Sequence, residues 1–292
     1  MIDVNVFCFL ASYLVAFCLE AARIVRRTAP RRMLLLGFST AGWIAHTLYL
    51  VNRSRESNLP PLLSSPHDWM LVLAWLVVTI YLFLTLSDRD LMLGIFLFPV
   101  VLVLIVSAYF SSRLAHPDAA QVAFKGWGML HASLLLIGIG GVIMGLLLAA
   151  MFVFQHKRLK RRQILGNRLR LPSLERLARW NRLSIILSVP LLTLGMVTGI
   201  ILAVLSEAPA DRSVVISWGD PVVVASASTW LVMAAFFGWL LTSRRKKGPQ
   251  VARLTIWSCG FLLVTLIALQ VITSGGDWTV PTFHGAVGER GR

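Results

Sequence analysis

Charged residues, and acidic ones above all, are scarce in this chain of 292 residues. Only 14% of the residues are charged, and 13 Asp and Glu stand against 28 Lys and Arg. A soluble domain carries roughly 25% charged residues. Hydrophobic residues make up 57% of the chain, and the mean hydropathy is +0.75. The composition therefore excludes a soluble globular domain and predicts an integral membrane protein.

Cysteine is also scarce, since Cys8, Cys18 and Cys259 are the only three, and all lie in apolar runs. Cys8 and Cys18 are about 15 Å apart along one predicted helix, too far for a disulfide. The sequence has no C-x-x-C pair and no C-x-x-C-H motif. This excludes a thiol relay and a covalently attached haem. No phosphate loop or hydrolytic triad is visible either, so the sequence assigns no enzyme activity to the chain by itself.

What the chain does contain is eight apolar runs, and runs of about 18 or more residues predict membrane spans. The predicted spans cover residues 4–22, 33–51, 69–86, 91–110, 130–154, 183–205, 222–242 and 254–273. The predicted fold is an all-α polytopic membrane helix bundle, with residues 1–292 forming one integral membrane domain. No A-x-A-like cleavage site follows the first run, so we expect this span to be retained.

The fifth predicted span contains a G-x-x-x-G pair, Gly141 and Gly145. Glycines at this spacing let a second helix approach closely. Packing within the bundle is the favoured use of the pair, and dimerisation is the alternative.

Basic residues are distributed unevenly between the faces of the predicted bundle. All but seven of the 28 lie on one face, and ten of them lie between residues 157 and 182. The seven on the opposite face are Arg53, Arg55, Arg113, Lys125, Arg212, Arg290 and Arg292. The positive-inside rule makes the rich face cytoplasmic and puts both termini outside. We expect a multi-pass protein of the bacterial cytoplasmic membrane.

The dense basic cluster has two interpretations. It could bind RNA or another acidic partner, or it could set the topology and contact anionic lipid headgroups, which we favour. Partners therefore include membrane lipids and exclude nucleic acid. Within the cluster, residues 171–180 predict a short amphipathic helix on the inner leaflet, with Ser173 as its N-cap.

Two of the six histidines are predicted to meet on the outer face. His131 opens the fifth predicted span, and His284 follows the eighth. Residues 217–221, with Trp218, lie in an outer loop on the same side. Two imidazoles beside tryptophan could ligate a haem iron axially. Alternatively, each histidine lies at the lipid headgroup level, as amphipathic rings often do.

The other four histidines differ in position. His46 lies well within the second predicted span, where an ionisable residue is costly and indicates function by default. The alternative for His46 is a neutral imidazole that hydrogen-bonds a neighbouring helix. We expect His67 and His116 to be ordinary loop residues, and His156, at the head of the basic loop, to be solvated or lipid-facing.

Several stretches of the chain resemble the cytochrome c assembly proteins, a family of haem-handling membrane proteins of the CcsA and CcmC type. Residues 44–50, around His46, are similar to its intramembrane histidine segment, and residues 130–138 to its first external histidine segment. Residues 171–177 resemble a string found in the eight-span HemX-like branch. The resemblance covers most of the chain.

The family also carries a tryptophan-rich external motif that ends in W-D-P-K-E and is followed by T-W-L. Asp220, Pro221, Thr229 and Trp230 match it at the family's spacing. Gly219 stands where the family has Trp, Val222 and Val223 replace Lys and Glu, and most of the upstream motif is absent. Gly238 falls in the place of a second intramembrane histidine.

The resemblance implies haem handling at the outer face of the membrane during cytochrome c biogenesis. It implies haem b as cofactor, with His131 and His284 as axial ligands and with a platform shaped by Trp218, Asp220 and Trp230. His46 becomes a further candidate for cofactor binding. The implied partners are haem, another cytochrome c maturation membrane protein and apocytochrome c, whose ligation to haem the chain would assist.

Two other functions stay open at this stage. The first is a non-catalytic membrane regulator or scaffold on the same fold, because HemX-like proteins are associated with haem biosynthesis. The second, less favoured, is a small-solute transporter, which would need an ionisable residue near the midplane. His46 is the candidate for that residue.

Overall fold

A computed structural model describes residues 5–25, 29–87, 92–111, 126–160, 172–205, 221–242 and 248–274. Nine helices and no strand occur in these ranges. The helices are α1 Val6–Val25, α2 Ala29–Ser57, α3 Pro61–Ser64, α4 Pro66–Ser87, α5 Gly94–Phe110, α6 Trp127–Lys160, α7 Leu174–Leu205, α8 Pro221–Thr242 and α9 Gly248–Ser274.

Each of the eight predicted spans coincides with one helix, and the short α3 is the addition. Among the described residues, five helices are long and apolar enough to cross a membrane. They are α1, α2, α4, α6 and α7. α5, Gly94–Phe110, is a shorter apolar helix, and Ala227–Leu240 is a shorter apolar stretch within α8. The all-α polytopic fold class is confirmed. The outer placement of both termini stays a prediction.

The two helices that flank the dense basic cluster are longer than the fifth and sixth predicted spans. α6 continues to Lys160 and α7 begins at Leu174. Residues 174–180 are therefore the first turns of a 32-residue helix, and the prediction of a separate amphipathic helix was wrong. The N-cap was placed correctly, because Ser173 Oγ accepts a hydrogen bond from the Arg176 backbone N–H at 3.3 Å.

The helices group into two compact units. Unit 1 contains residues 1–120 and 151–177, and unit 2 contains residues 121–150 and 178–292. The single domain over residues 1–292 stays a prediction.

Four helices of unit 1 form a closed ring, in which α1 contacts α2, α2 contacts α4, α4 contacts α5 and α5 contacts α1. Phe9, Tyr13, Tyr81 and Phe98 fill its interior and are at most 1% exposed. Gly42 makes room for this filling, because a Cβ there would lie 2.8 Å from Tyr13 Cε1. The ring therefore buries its aromatic side chains in a column along its axis.

In unit 2, α6 and α7 run antiparallel in close contact through small residues. Gly138 lies against Leu192, Gly141 against Ser188 and Gly145 against Ser184. A Cβ on Gly141 would collide with the Ser188 hydroxyl, so the backbones approach more closely here than larger residues allow. The prediction that Gly141 and Gly145 pack within the bundle is confirmed.

Candidate functional site

His131, the first candidate ligand, lies in the first turns of α6 and contacts α7. Its Nδ1 is 2.7 Å from the carbonyl oxygen of Gly195, a distance at which an N–H donates to that oxygen. Thr198 Oγ1 is 3.5 Å from the same nitrogen. The carbonyl thus selects the tautomer with its proton on Nδ1, and Nε2 keeps its lone pair. Within the described residues Nε2 has no hydrogen-bond partner.

The His131 ring lies against the α7 backbone at Gly199. A Cβ at Gly199 would be 2.7 Å from Cε1 and 3.1 Å from Nδ1 of the imidazole. Gly195 and Gly199 therefore form a seat for the ring, the first through its carbonyl and the second through its missing side chain. The sequence analysis overlooked this seat, although a G-x-x-x-G pair on an apolar helix was visible in the sequence.

Trp230, the described member of the predicted platform, lies on α8. Its Nε1–H donates to Thr193 Oγ1 at 2.9 Å, which joins α8 to α7. Thr193 precedes Gly195 by two residues, a turn of about 200° around the helix. Trp230 and His131 therefore reach different faces of the same stretch of α7.

Three residues predicted for this site, His284, Trp218 and Asp220, lie outside the described residues. Their roles as second axial ligand and platform stay predictions. Among the described residues no cluster of three or more His, Cys, Asp or Glu could hold a metal ion.

His46 lies in the unit 1 ring and is fully buried. Its Nδ1 is 3.3 Å from the hydroxyl of Tyr13, and its ring stacks on Phe9. Nε2 is buried without a hydrogen-bond partner in the described structure. The imidazole is held on one edge and one face, and its other edge carries an unused nitrogen.

His67 is not the loop residue that the sequence analysis expected. It lies in the first turn of α4 and is fully buried. Its Nδ1 donates to the Ala108 carbonyl at 2.6 Å, and its Nε2 lies 3.2 Å from the Tyr49 hydroxyl. Through these two contacts, His67 of α4 joins α2 and α5. Since both ring nitrogens take part in hydrogen bonds, neither is available to a metal.

A buried ion pair at the other end of the ring was also overlooked. Arg23 Nη1 donates to Glu20 Oε2 at 2.7 Å, and both side chains are at most 6% exposed. Tyr81 and Thr85 on α4 are also buried there, and Gly94 Cα faces the Glu20 side chain. Glu20 could have been noticed as the only acidic residue of the first apolar run.

The His131 imidazole is oriented in the way that metal-binding histidines commonly are. Histidines that bind a metal commonly donate their other N–H to a backbone carbonyl, which fixes the ring and strengthens the free nitrogen as a donor. The Nδ1–Gly195 contact provides this arrangement.

Comparisons with known proteins identify the family that the chain resembles. The model of the cytochrome C assembly protein family matches residues 63–275. The chain is similar to the cytochrome c biogenesis protein CcsA of Trieres chinensis, with 25% identity over 240 residues, 72% of this chain and 74% of the relative. It is also similar to protein HemX of Brevibacillus brevis, with 27% identity over 236 residues, 78% of this chain and 82% of the relative. No solved structure matches it.

Proposed function

Because the chain belongs to the cytochrome c assembly protein family, we propose that it handles haem b at the outer face of the bacterial cytoplasmic membrane. Membership of the family supports a role in cytochrome c biogenesis or a related haem function. The finer proposal is that the chain holds haem and passes it on toward apocytochrome c, together with another maturation protein of the membrane.

The observation that carries this proposal is the hydrogen bond between His131 Nδ1 and the Gly195 carbonyl. It leaves Nε2 as a neutral, oriented donor for iron. His284 is proposed as the opposite ligand, and Trp218, Asp220 and Trp230 as the aromatic and polar surround. Bound haem would supply the redox-active iron that a cytochrome requires.

The chain's own contribution is to orient the imidazole and to limit water access. Gly199 lets the His131 ring rest on α7, and the Gly195 carbonyl prevents it from turning. The imidazole is partly buried against α7, which limits the approach of water. The proposal needs no catalytic residue, since the chain would assist ligation by presenting haem.

An absorption spectrum of protein expressed with added haem tests the proposal. We expect six-coordinate low-spin haem with both imidazoles present. His131→Ala or His284→Ala should open an axial position, and added imidazole should restore the spectrum. His156→Ala is the matched control, because His156 lies at the opposite end of α6. Absence of a Soret band, or wild-type spectra from both single variants, would overturn the proposed ligand pair.

The similarity to HemX favours a second candidate function, a non-catalytic membrane regulator or scaffold linked to haem biosynthesis. It predicts that the chain accumulates normally without a Soret band. It also predicts that deletion alters haem synthesis while supplied haem still reaches cytochromes. These two measurements separate the candidates.

A further inference from the structure

An open groove lies between α8 and α9 of unit 2, away from His131 and its seat. It has a volume of about 420 Å³. Its walls are Val232, Phe236 and Trp239 of α8 and Leu254, Trp257 and Ser258 of α9. Phe236 and Trp239 stack with ring centroids 6.1 Å apart, and Trp257 is 77% exposed. The groove is therefore an aromatic cleft that opens sideways from the helix pair.

The walls of the groove offer little to a polar molecule. Ser258 contributes the only hydroxyl, and its Oγ donates to the Leu254 carbonyl at 2.8 Å within its own helix. The part of an occupant that enters the groove must therefore be apolar. The tryptophan rings suit the boundary between acyl chains and headgroups, where indoles concentrate.

One end of the groove, by contrast, has a basic side chain beside it. Arg253 is exposed on α9 and precedes Trp257 by four residues, so the two share one face of the helix. The segment that joins α8 to α9 contains Arg244, Arg245, Lys246 and Lys247. No Asp or Glu occurs from residue 221 to residue 276. An anionic group beside Arg253 would meet its positive charge, and the described residues of α8 and α9 contain no competing acid.

We infer that the α8–α9 groove is a binding site for one anionic phospholipid of the leaflet that the basic residues predict to be cytoplasmic. An acyl chain lies in the groove against Trp239 and Trp257. The phosphate lies at Arg253, because a Lys or Arg near a membrane surface attracts anionic lipid. The groove residues are not those of the proposed haem site, since neither His131 nor Trp230 lines the groove.

Native mass spectrometry of the detergent-solubilised chain tests the inference, with dioleoylphosphatidylglycerol and dioleoylphosphatidylcholine as probes. We expect one retained phosphatidylglycerol and weaker retention of phosphatidylcholine. Arg253→Gln should weaken binding of the anionic lipid about fivefold and leave the zwitterionic lipid unaffected. Arg182→Gln, at an exposed arginine of α7 outside the groove, is the matched control and should change neither.

Filling the groove gives a second arm. Val232→Trp should remove the retained lipid, whereas Val103→Trp, at a residue 60% exposed on α5, should not. Phosphatidylglycerol with brominated chains should quench less of the tryptophan fluorescence in Trp257→Phe than in the wild type.

Three results would overturn the inference. The first is equal retention of the two lipids by the wild-type chain, and the second is equal loss of lipid in Val232→Trp and Val103→Trp. The third is disulfide-linked dimer formation by Trp257→Cys in native membranes, which would assign the groove to a second copy of the chain.

Discussion

The imidazole of His46 lies flat on the phenyl ring of Phe9, with centroids 4.2 Å apart and planes within 2° of parallel. Below this pair, Tyr13 contacts both His46 and Phe98, and Phe98 contacts Tyr81 with centroids 4.7 Å apart. Aromatic rings thus follow one another along the axis of the unit 1 ring. His46 is a packed member of this column as well as a candidate ligand.

We predict that His46→Gln keeps both expression and any haem signal. The Tyr13 hydroxyl has Nδ1 of His46 as its partner, so the simplest arrangement has Tyr13 donating and Nε2 carrying the imidazole proton. In that tautomer Nε2 cannot bind iron, and a glutamine carbonyl can replace Nδ1 as acceptor. The measurement is the ratio of haem to protein in wild type and variant purified side by side.

Tyr13→Phe is the companion variant, since it removes the hydroxyl and keeps the ring against Gly42. If His46 is structural, this variant should also keep its haem. A fall in haem content in His46→Gln, with normal accumulation of the protein, would instead make His46 a ligand or relay.

The positions of the helices could be predicted from the sequence, because a membrane span needs a long apolar run. Which face of each helix is inside could not, because lipid-facing and core-facing residues are equally apolar. On α1, Phe9 is fully buried and Leu14 is 50% exposed, yet nothing in their chemistry separates them. In a soluble protein, polar residues on the exposed face of a helix distinguish it from the apolar buried face, and this pattern is missing here.

The same ambiguity explains what the sequence analysis missed at the candidate site. His67 precedes an apolar run, so it resembled a loop residue, although tertiary contacts with Tyr49 and Ala108 bury it. The sequence analysis proposed His131 as a ligand because imidazole is a common axial ligand of haem iron. Its seat at Gly195 and Gly199 depends on the register of two antiparallel helices, which no local pattern specifies.

A second prediction concerns the buried ion pair of α1. Glu20→Gln leaves the Arg23 guanidinium buried without its carboxylate, which should lower the free energy of unfolding by about 3 kcal/mol. The matched control is Glu56→Gln, because Glu56 is 58% exposed and lies 3.9 Å from Arg53. This control should change stability by less than about 1 kcal/mol. Thermal unfolding in detergent measures both.

The double variant Glu20→Gln/Arg23→Gln distinguishes charge burial from lost packing. If the destabilisation comes from an uncompensated charge, removing Arg23 as well should restore part of the stability. A double variant less stable than Glu20→Gln would contradict this explanation.

A third prediction concerns a reciprocal contact between α2 and α4. Trp43 Nε1 donates to Thr79 Oγ1, and Trp75 Nε1 donates to Thr47 Oγ1, both at 2.9 Å. Thr79→Val leaves one indole N–H without its acceptor and should lower stability by about 1 kcal/mol. Thr265→Val is the control, because the Thr265 hydroxyl is exposed and bonds only within its own helix. Equal melting temperatures for the two variants would contradict a stabilising role.

The orientation of the chain gives a fourth prediction. With Cys8, Cys18 and Cys259 replaced by alanine, single cysteines at positions 163 and 213 report the two sides of the membrane. The basic residues put position 163 in the cytoplasm and position 213 outside. In intact spheroplasts an impermeant maleimide should therefore label Ser213→Cys and not Gln163→Cys. The reverse pattern would invert the topology.

The last prediction concerns the seat of His131. Gly199→Ala adds a Cβ that would lie 2.7 Å from the imidazole Cε1, so the ring must move away from α7. Moving it lengthens the hydrogen bond to the Gly195 carbonyl and misdirects Nε2. We expect the haem-loaded variant to lose its low-spin spectrum partly or fully, and added imidazole to restore it.

Gly238→Ala is the control, since an added Cβ there meets no atom within 4 Å. That variant should keep the wild-type spectrum and be slightly more stable, because alanine favours a helix by up to about 1 kcal/mol over glycine. If Gly199→Ala binds haem with an unchanged spectrum while His131→Ala does not, His131 is a ligand without this seat. If neither variant alters the spectrum, the iron is held elsewhere.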